Sequence, residues 1–318
     1  MPQIKTKPAG QLDAGRRKKK RDHNAISPFW NVIFNVIIGL FAFSCVFPFI
    51  FVIIISFTDE QTLALEGFSL FPSKFSTDAY EYIFKTGSEL FTSFGVTLLV
   101  TVIGTLLSLF LVTTYAYALS RRSFEFRGFF SFLAFFTMLF SGGMVPSYIV
   151  MTQFLHLQNT LWALILPLSM SAFFIIVMRT FFQTTIPDEI IESAKIDGAG
   201  EYLTFARIVL PISLPGIATI GLFSSLGYWN DWFNALMYYN SPKVTPPLQY
   251  LLMQIEKNMD FLTKNAQNIG STVDLTASLP TETIRMAMVV LATLPIVMAY
   301  PFFQRYFVQG LTVGSVKG

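Results

Sequence analysis

Residues 187–211 read Pro187-Asp188-Glu189-Ile190-Ile191-Glu192-Ser193-Ala194-Lys195-Ile196-Asp197-Gly198-Ala199-Gly200-Glu201-Tyr202-Leu203-Thr204-Phe205-Ala206-Arg207-Ile208-Val209-Leu210-Pro211. Proline suits the first turn of a helix, where its missing N–H would find no partner anyway, and Asp188 and Glu189 meet the positive end of the helix dipole. Ile190, Ile191, Ala194 and Ile196 then supply a short apolar face. Gly198 is placed to end the helix, because glycine adopts left-handed backbone at little cost. A second short helix is predicted from Glu201 to about Val209, and Pro211 and Pro215 open the next apolar stretch. The unit is helix, glycine turn, helix. It is amphipathic and too polar to cross a bilayer, so it belongs at a surface.

On both sides the chain turns apolar. A spanning helix needs roughly 20 mostly apolar residues. About six stretches qualify: Phe29–Phe57, Leu90–Leu119, Phe129–Met151, Leu161–Phe182, Ile212 to about Tyr239, and Ile284–Phe303. Pro48 is expected to kink the first, which is too long for a cleavable signal segment. Ser141-Gly142-Gly143-Met144-Val145-Pro146 interrupts the third, as a packing kink or as part of a gate. Composition agrees: 53% of the 318 residues are hydrophobic, 35 are Phe, and only 13% are charged. An ordinary soluble domain carries about 25% charge. With a mean hydropathy of +0.55, the fold class is all-α and polytopic.

Lys and Arg set the orientation. Sixteen lie in the N-terminal tail, after the second span, in loop 187–211 with its flanks, and at the C-terminal end; six lie on the other side. The richer side is read as cytoplasmic, with both termini inside. The expected organisation is a basic cytoplasmic tail (1–28), a six-helix permease-type domain (29–305) containing the cytoplasmic loop 183–211, and a C-terminal tail (306–318). The run Arg16–Arg21 reads as an orientation signal that also meets anionic headgroups, not as a nucleic-acid patch. Cys45 reads as buried packing and His156 as a residue on an outer turn.

The spacing in the loop resembles the EAA loop of binding-protein-dependent ABC importer permeases: Glu-Ala-Ala, three residues, glycine, nine residues, Ile-x-Leu-Pro. Here Glu192-Ser193-Ala194 is followed after three residues by Gly198, and nine further residues lead to Ile208-Val209-Leu210-Pro211. Ser193 stands where the family usually has alanine. From the first span onward the chain resembles the smaller permease of maltose-type carbohydrate importers. Its Leu311–Gly318 ending is similar to the LplC/YtcP-like branch, which handles complex oligosaccharides.

The resemblance implies a type I ABC importer permease in a bacterial plasma (inner) membrane. Such a chain is the non-catalytic transmembrane subunit of an ATP-driven importer, taking up a sugar delivered by an extracellular solute-binding protein. It implies a heterodimer with a second homologous permease and an ATPase dimer that carries ATP and Mg. It places ATPase docking on Glu192, Ser193, Ala194, Asp197, Gly198 and Ala199. Glu192 would meet an ATPase arginine, Gly198 would supply the bend, and Ala194 and Ala199 would keep the contact close. The C-terminal tail would lie at the ATPase dimer. Import of a non-sugar solute, or secondary transport, remains the alternative. The chain has no Gly-x4-Gly-Lys-Ser/Thr, His-Glu-x-x-His or Gly-x-Ser-x-Gly sequence, so no cofactor or metal of its own is expected.

The stretch Tyr228-Trp229-Asn230-Asp231-Trp232 with Asn234 mixes aromatic faces, amides and an acid. It reads either as an interfacial aromatic belt or as the lining of a sugar path, with rings stacking on sugar faces and polar groups bonding hydroxyls. Two long outer loops, about 58–89 and 240–283, are implied by the resemblance to face the binding protein. The second is similar in placement to a loop that reaches into it.

Overall fold

The computed structural model describes residues 27–85, 88–265 and 281–315. The expectations for the basic tail and for the tip of the second outer loop lie outside these residues. By its contacts the chain divides at Ile50. The first unit holds most of α1 (Pro28–Ser56), a continuous helix through Pro48. Its apolar side chains from Phe29 to Phe49 are exposed except for the half-buried Ile33, as suits a helix whose surroundings are lipid. Cys45 is exposed as well, which corrects its reading as buried packing: on an all-apolar helix a thiol needs no core.

The second unit is helical in every described element longer than a turn. Two helices are short and lie in the loop after α1: α2 (Glu60–Glu66) and α3 (Asp78–Lys85). Then come α4 (Ser88–Ser120), α5 (Arg127–Leu139), α6 (Met144–Ile149), α7 (Leu161–Ile165), α8 (Ala172–Thr185), α9 (Asp188–Ile196), α10 (Glu201–Thr204), α11 (Leu210–Ile212), α12 (Leu214–Trp229), α13 (Phe233–Tyr238), α14 (Leu248–Asn265) and α15 (Thr281–Ser315). Helix α15 continues to Ser315, into the stretch expected to be a tail.

Among the described residues, α1, α4 and α15 are long and apolar enough to cross a membrane, and six spans result if three bent helix pairs each count as one. The interruption expected at Ser141–Pro146 in span three is present, and the bend at Ser213 falls where Pro211 and Pro215 are expected to join the loop helix to span five; the bend in span four is the one the sequence reading lacks. Span three breaks by 112° between Leu139 and Met144, span four by 50° between Leu168 and Ala172, and span five by 80° at Ser213. Each break has a local cause. Gly143 takes a φ of +85°, which only glycine adopts cheaply. Pro167 lies just before the second break, and Pro211 and Pro215 flank the third. The second loop helix is not one α-helix to Val209 either. The Leu210 N–H reaches Phe205 O, five residues back, in a wide turn before Pro211.

Helix α4 is the axis of the second unit, and α12 and α8 pack on it most extensively. In lipid there is little hydrophobic drive between helices, so close approach and internal bonding hold them. Gly104 shows how close: a Cβ there would lie 2.5 Å from the Tyr228 ring. Ser108 and Ser224 meet across the same interface at 3.3 Å. At the other end of the bundle from the 187–211 loop, the Glu60 carboxylate of α2 accepts hydrogen bonds from the Glu282 and Thr283 backbone N–H groups at 3.1 and 3.0 Å. It also accepts one from the Thr283 hydroxyl at 2.7 Å. A carboxylate at these first amides offsets the positive end of the α15 dipole. The loop after α1 thus clamps the start of the last span.

Gly104→Ala is expected to destabilise the solubilised protein by about 1–3 kcal/mol through overpacking. Gly227→Ala, where a Cβ meets nothing within 4 Å, should be near neutral. Thermal unfolding of the two variants in detergent checks this.

Candidate functional site

The helix–glycine–helix unit of residues 187–211 forms as its sequence dictates. Pro187 precedes α9, and Asp188 and Glu189 occupy its first turn. Gly198 takes a φ of +83°. Its N–H bonds to Lys195 O at 3.0 Å, and the Ala199 N–H bonds to Ala194 O at 2.9 Å. This pair of bonds is the Schellman helix end. A Cβ at Gly198 would cost roughly 1–2 kcal/mol in backbone strain.

The predicted docking residues divide between two faces. Glu192, Ser193, Asp197 and Gly198 are exposed, and Ala199 is half-buried. Ser193 turns its hydroxyl back onto Glu189 O at 2.8 Å, so it offers no free polar group where the family has alanine. Ala194 faces the other way: it is buried in this chain, which corrects its assignment to an outward contact. Its small size lets α9 lie against the chain's own body. Beside it, Ile191 joins a core with Leu119, Met178, Phe182, Val209 and Ile220, contributed by α4, α8, α12 and the turn before Leu210. The apolar face read from sequence is split. Ile191 and Ala194 root the helix, while Ile196 and Tyr202 stand out on either side of Gly198, 86% and 93% exposed.

The residue that joins these pieces was not singled out from the sequence. Glu201, at the start of α10, accepts a hydrogen bond from the Tyr117 hydroxyl of α4 at 2.7 Å. It pairs with Lys195 of α9 at 2.7 Å and lies 3.9 Å from Arg121. Lys195 beside it, with help from the Tyr117 hydroxyl, holds the Glu201 carboxyl below the usual carboxylate range. One carboxylate therefore ties α9 and α10 to each other and to the second span. No local spacing could have shown this, because Tyr117 is 84 positions away.

The predicted path residues also divide. Tyr228 and Trp229 are buried, so they neither line a path nor form a belt at the lipid interface. The Tyr228 hydroxyl donates to Ile165 O at 2.8 Å, beside the break in span four. The Trp229 Nε1–H donates to Ala292 O at 3.0 Å, a turn before Pro295. The first satisfies a backbone carbonyl beside a break, and the second meets a carbonyl within the unbroken α15. Asn230 is exposed and bonds back to Leu226 O. Asp231 accepts from the backbone and side-chain amides of Asn234 at 3.1 and 2.9 Å, a local turn. Trp232 opens on a cavity.

That cavity has a volume of about 540 Å³ and is lined by Trp232, Gln249, Leu252, Met253, Glu256, Arg285, Met288, Val289, Ala292 and Thr293. Arg285 is held there by Asp260 and by Glu282, the latter at 3.1 Å. The lining residues of α14 and α15 recur every three or four positions, a helical-stripe signal present in the sequence. Among the described residues no group of His, Cys, Asp and Glu is arranged to hold a metal ion.

This geometry, a polytopic helical body with a rooted surface hairpin, is that of a transport permease. Residues 117–313 match the family of binding-protein-dependent transport system inner membrane components, and the chain belongs to that family. It is 44% identical to protein LplC of Bacillus subtilis over 273 residues, covering 86% of this chain and 90% of that protein. It is 45% identical over 279 residues to the polygalacturonan/rhamnogalacturonan transport system permease protein YtcP of the same organism, covering 88% and 95%. A solved structure of a bacterial ABC transporter involved in import of the acidic polysaccharide alginate matches with a TM-score of 0.75 and 27% identity. It covers 88% of this chain and 96% of that one. The protein is a multi-pass membrane permease.

Glu201→Gln keeps a hydrogen-bond acceptor but loses the ion pair. In a reconstituted transporter it is expected to lower substrate-stimulated ATP hydrolysis roughly three- to tenfold while the chain still inserts. Because the folded pKa is lowered, the tie is at full strength above the unfolded value and weakens as pH falls through the folded value. Acidification should therefore reproduce the defect in wild type only below the ordinary carboxylate range, and should change the variant less.

Proposed function

We propose that the chain is the transmembrane subunit of an ATP-driven importer that takes up an oligosaccharide delivered by an extracellular solute-binding protein. ATP and Mg reside on a separate ATPase dimer, and a second homologous permease completes the path. Both termini lie in the cytoplasm. The observation that carries this reading is the hairpin α9–Gly198–α10, rooted inward by Ile191, Ala194 and Glu201 and outward-facing at Glu192, Ile196 and Tyr202. A lever needs both properties: a fixed root and a free contact surface. Nucleotide-driven closure of the ATPase then moves the hairpin, and through Tyr117 and Val209 it moves the second and fifth spans. This is alternating access by bodies that rock about a central path.

The sugar assignment draws on the relatives, which include permeases for arabinooligosaccharides in two Bacillus-type organisms. The cavity beside Trp232 suits such a cargo chemically. An aromatic face is set among an amide, a hydroxyl, a carboxylate and a guanidinium, groups that stack on and bond to a polyol.

Glu192→Ala and Tyr202→Ser each remove an exposed group and leave the root intact. In the reconstituted complex with loaded binding protein, each is expected to cut stimulated ATP hydrolysis and uptake by about tenfold or more, as loss of an interface anchor does. Unchanged hydrolysis and uptake in both would contradict the docking assignment.

A further inference from the structure

The end of α4, the start of α5 and the root of α9 enclose a second cavity, of about 400 Å³. Arg121, Arg122 and Arg127 line it, with Asp188 as the one carboxylate in its wall. The charges are unevenly matched. Asp188 lies 3.9 Å from the Arg121 guanidinium and 3.5 Å from that of Arg122, both longer than a good charge-assisted hydrogen bond. Glu201, 3.9 Å from Arg121, already serves Tyr117 and Lys195. The Arg121 side chain is only 14% exposed, and its Nε is buried with no hydrogen-bond partner among the described residues. Arg127 is half-buried and makes no ion pair among the described residues. It also begins α5, a 13-residue helix whose first amides have no side-chain cap, so the dipole adds positive charge to the same wall. Arg121 is thus largely withdrawn from water with only distant carboxylate partners, while Arg122, 85% exposed, keeps its guanidinium open at the rim of the cavity. Their forked donors match the oxygens of a phosphate.

The surroundings select the kind of phosphate. Phe126, Phe129 and Phe132, at and just after the cavity wall, are 61%, 62% and 63% exposed. On a spanning helix such rings face acyl chains, which sets the cavity at headgroup depth. We propose that it binds the phosphate of an anionic phospholipid of the inner leaflet, and that the bound lipid stiffens the joint between the second span and the first docking helix. This rests on the proposed cytoplasmic orientation of that face.

The test uses the whole complex in nanodiscs of phosphatidylcholine alone or mixed with phosphatidylglycerol, as wild type and as Arg127→Gln. Native mass spectrometry reads the retained lipid, and ATP hydrolysis with loaded binding protein reads coupling. The expected result is several-fold preferential retention of phosphatidylglycerol by wild type, lost in Arg127→Gln, with a several-fold rise in stimulated hydrolysis in the mixed discs. Equal retention of the two lipids by wild type overturns the proposal and needs no variant to read. Inorganic phosphate that replaces phosphatidylglycerol in phosphatidylcholine discs also overturns it, in favour of a free anion. Preferential retention without stimulated hydrolysis in any disc would leave the lipid site standing and count against the importer reading.

Discussion

Glu201 holds together three parts of the chain that sequence order keeps apart. Its carboxylate meets Tyr117 at the end of the second span, Lys195 in the first docking helix and Arg121 beyond the span. Without it, the hairpin would be held to the body by the apolar contacts of Ile191, Ala194 and Val209 and by the long pairings of Asp188 with Arg121 and Arg122. Those contacts resist removal of the helix but permit it to roll. The ion pair and hydroxyl bond fix direction as well as distance, and a lever transmits motion only when its angle to the load is fixed. Exposed ion pairs are worth little singly; here one acceptor engages several donors beside a buried core, which is the arrangement that retains strength.

The second governing constraint comes from lipid. No water is available inside a bilayer to bond a freed carbonyl, so a broken helix must find partners within the protein. Span four bends between Leu168 and Ala172, and Tyr228 donates to Ile165 O just before that bend, while Trp229 donates to Ala292 O inside the continuous helix of the last span. The same Tyr228 ring fills the space that Gly104 leaves on α4, so satisfaction of the break and close helix packing share one side chain. At the other end of the bundle from the 187–211 loop, Glu60 performs the corresponding service for the first amides of α15.

What was legible in the sequence was local. Pro187, the acids after it, and Gly198 marked the ends of α9 because each acts on its own backbone. The apolar runs gave the spans because bilayer thickness fixes their length. What was not legible depended on distant partners. The bends at Leu139–Met144 and Ser213 were marked by Gly143, Pro211 and Pro215, but their angles follow from what each half packs against. Tyr228 and Trp229 look like sugar-stacking rings when taken by themselves; only the carbonyls they meet, 63 positions away in each case, show their work to be internal. Ala194 read as an outward contact because the motif groups it with Glu192, whereas the helical turn points the two apart.

For the hairpin to act as a lever, it must move as one body with the second span. Spin labels placed at Ile196 and Ser123, after replacement of the single native cysteine by Cys45→Ser, report the separation of the hairpin from the turn that directly follows that span. Double electron–electron resonance on the reconstituted complex, without nucleotide and with trapped ATP, should give one narrow distance that stays the same in both states and broadens in Glu201→Gln. A distance that shifts or broadens in the wild type on ATP binding would contradict the lever, because the hairpin would then swing on the body instead of driving it.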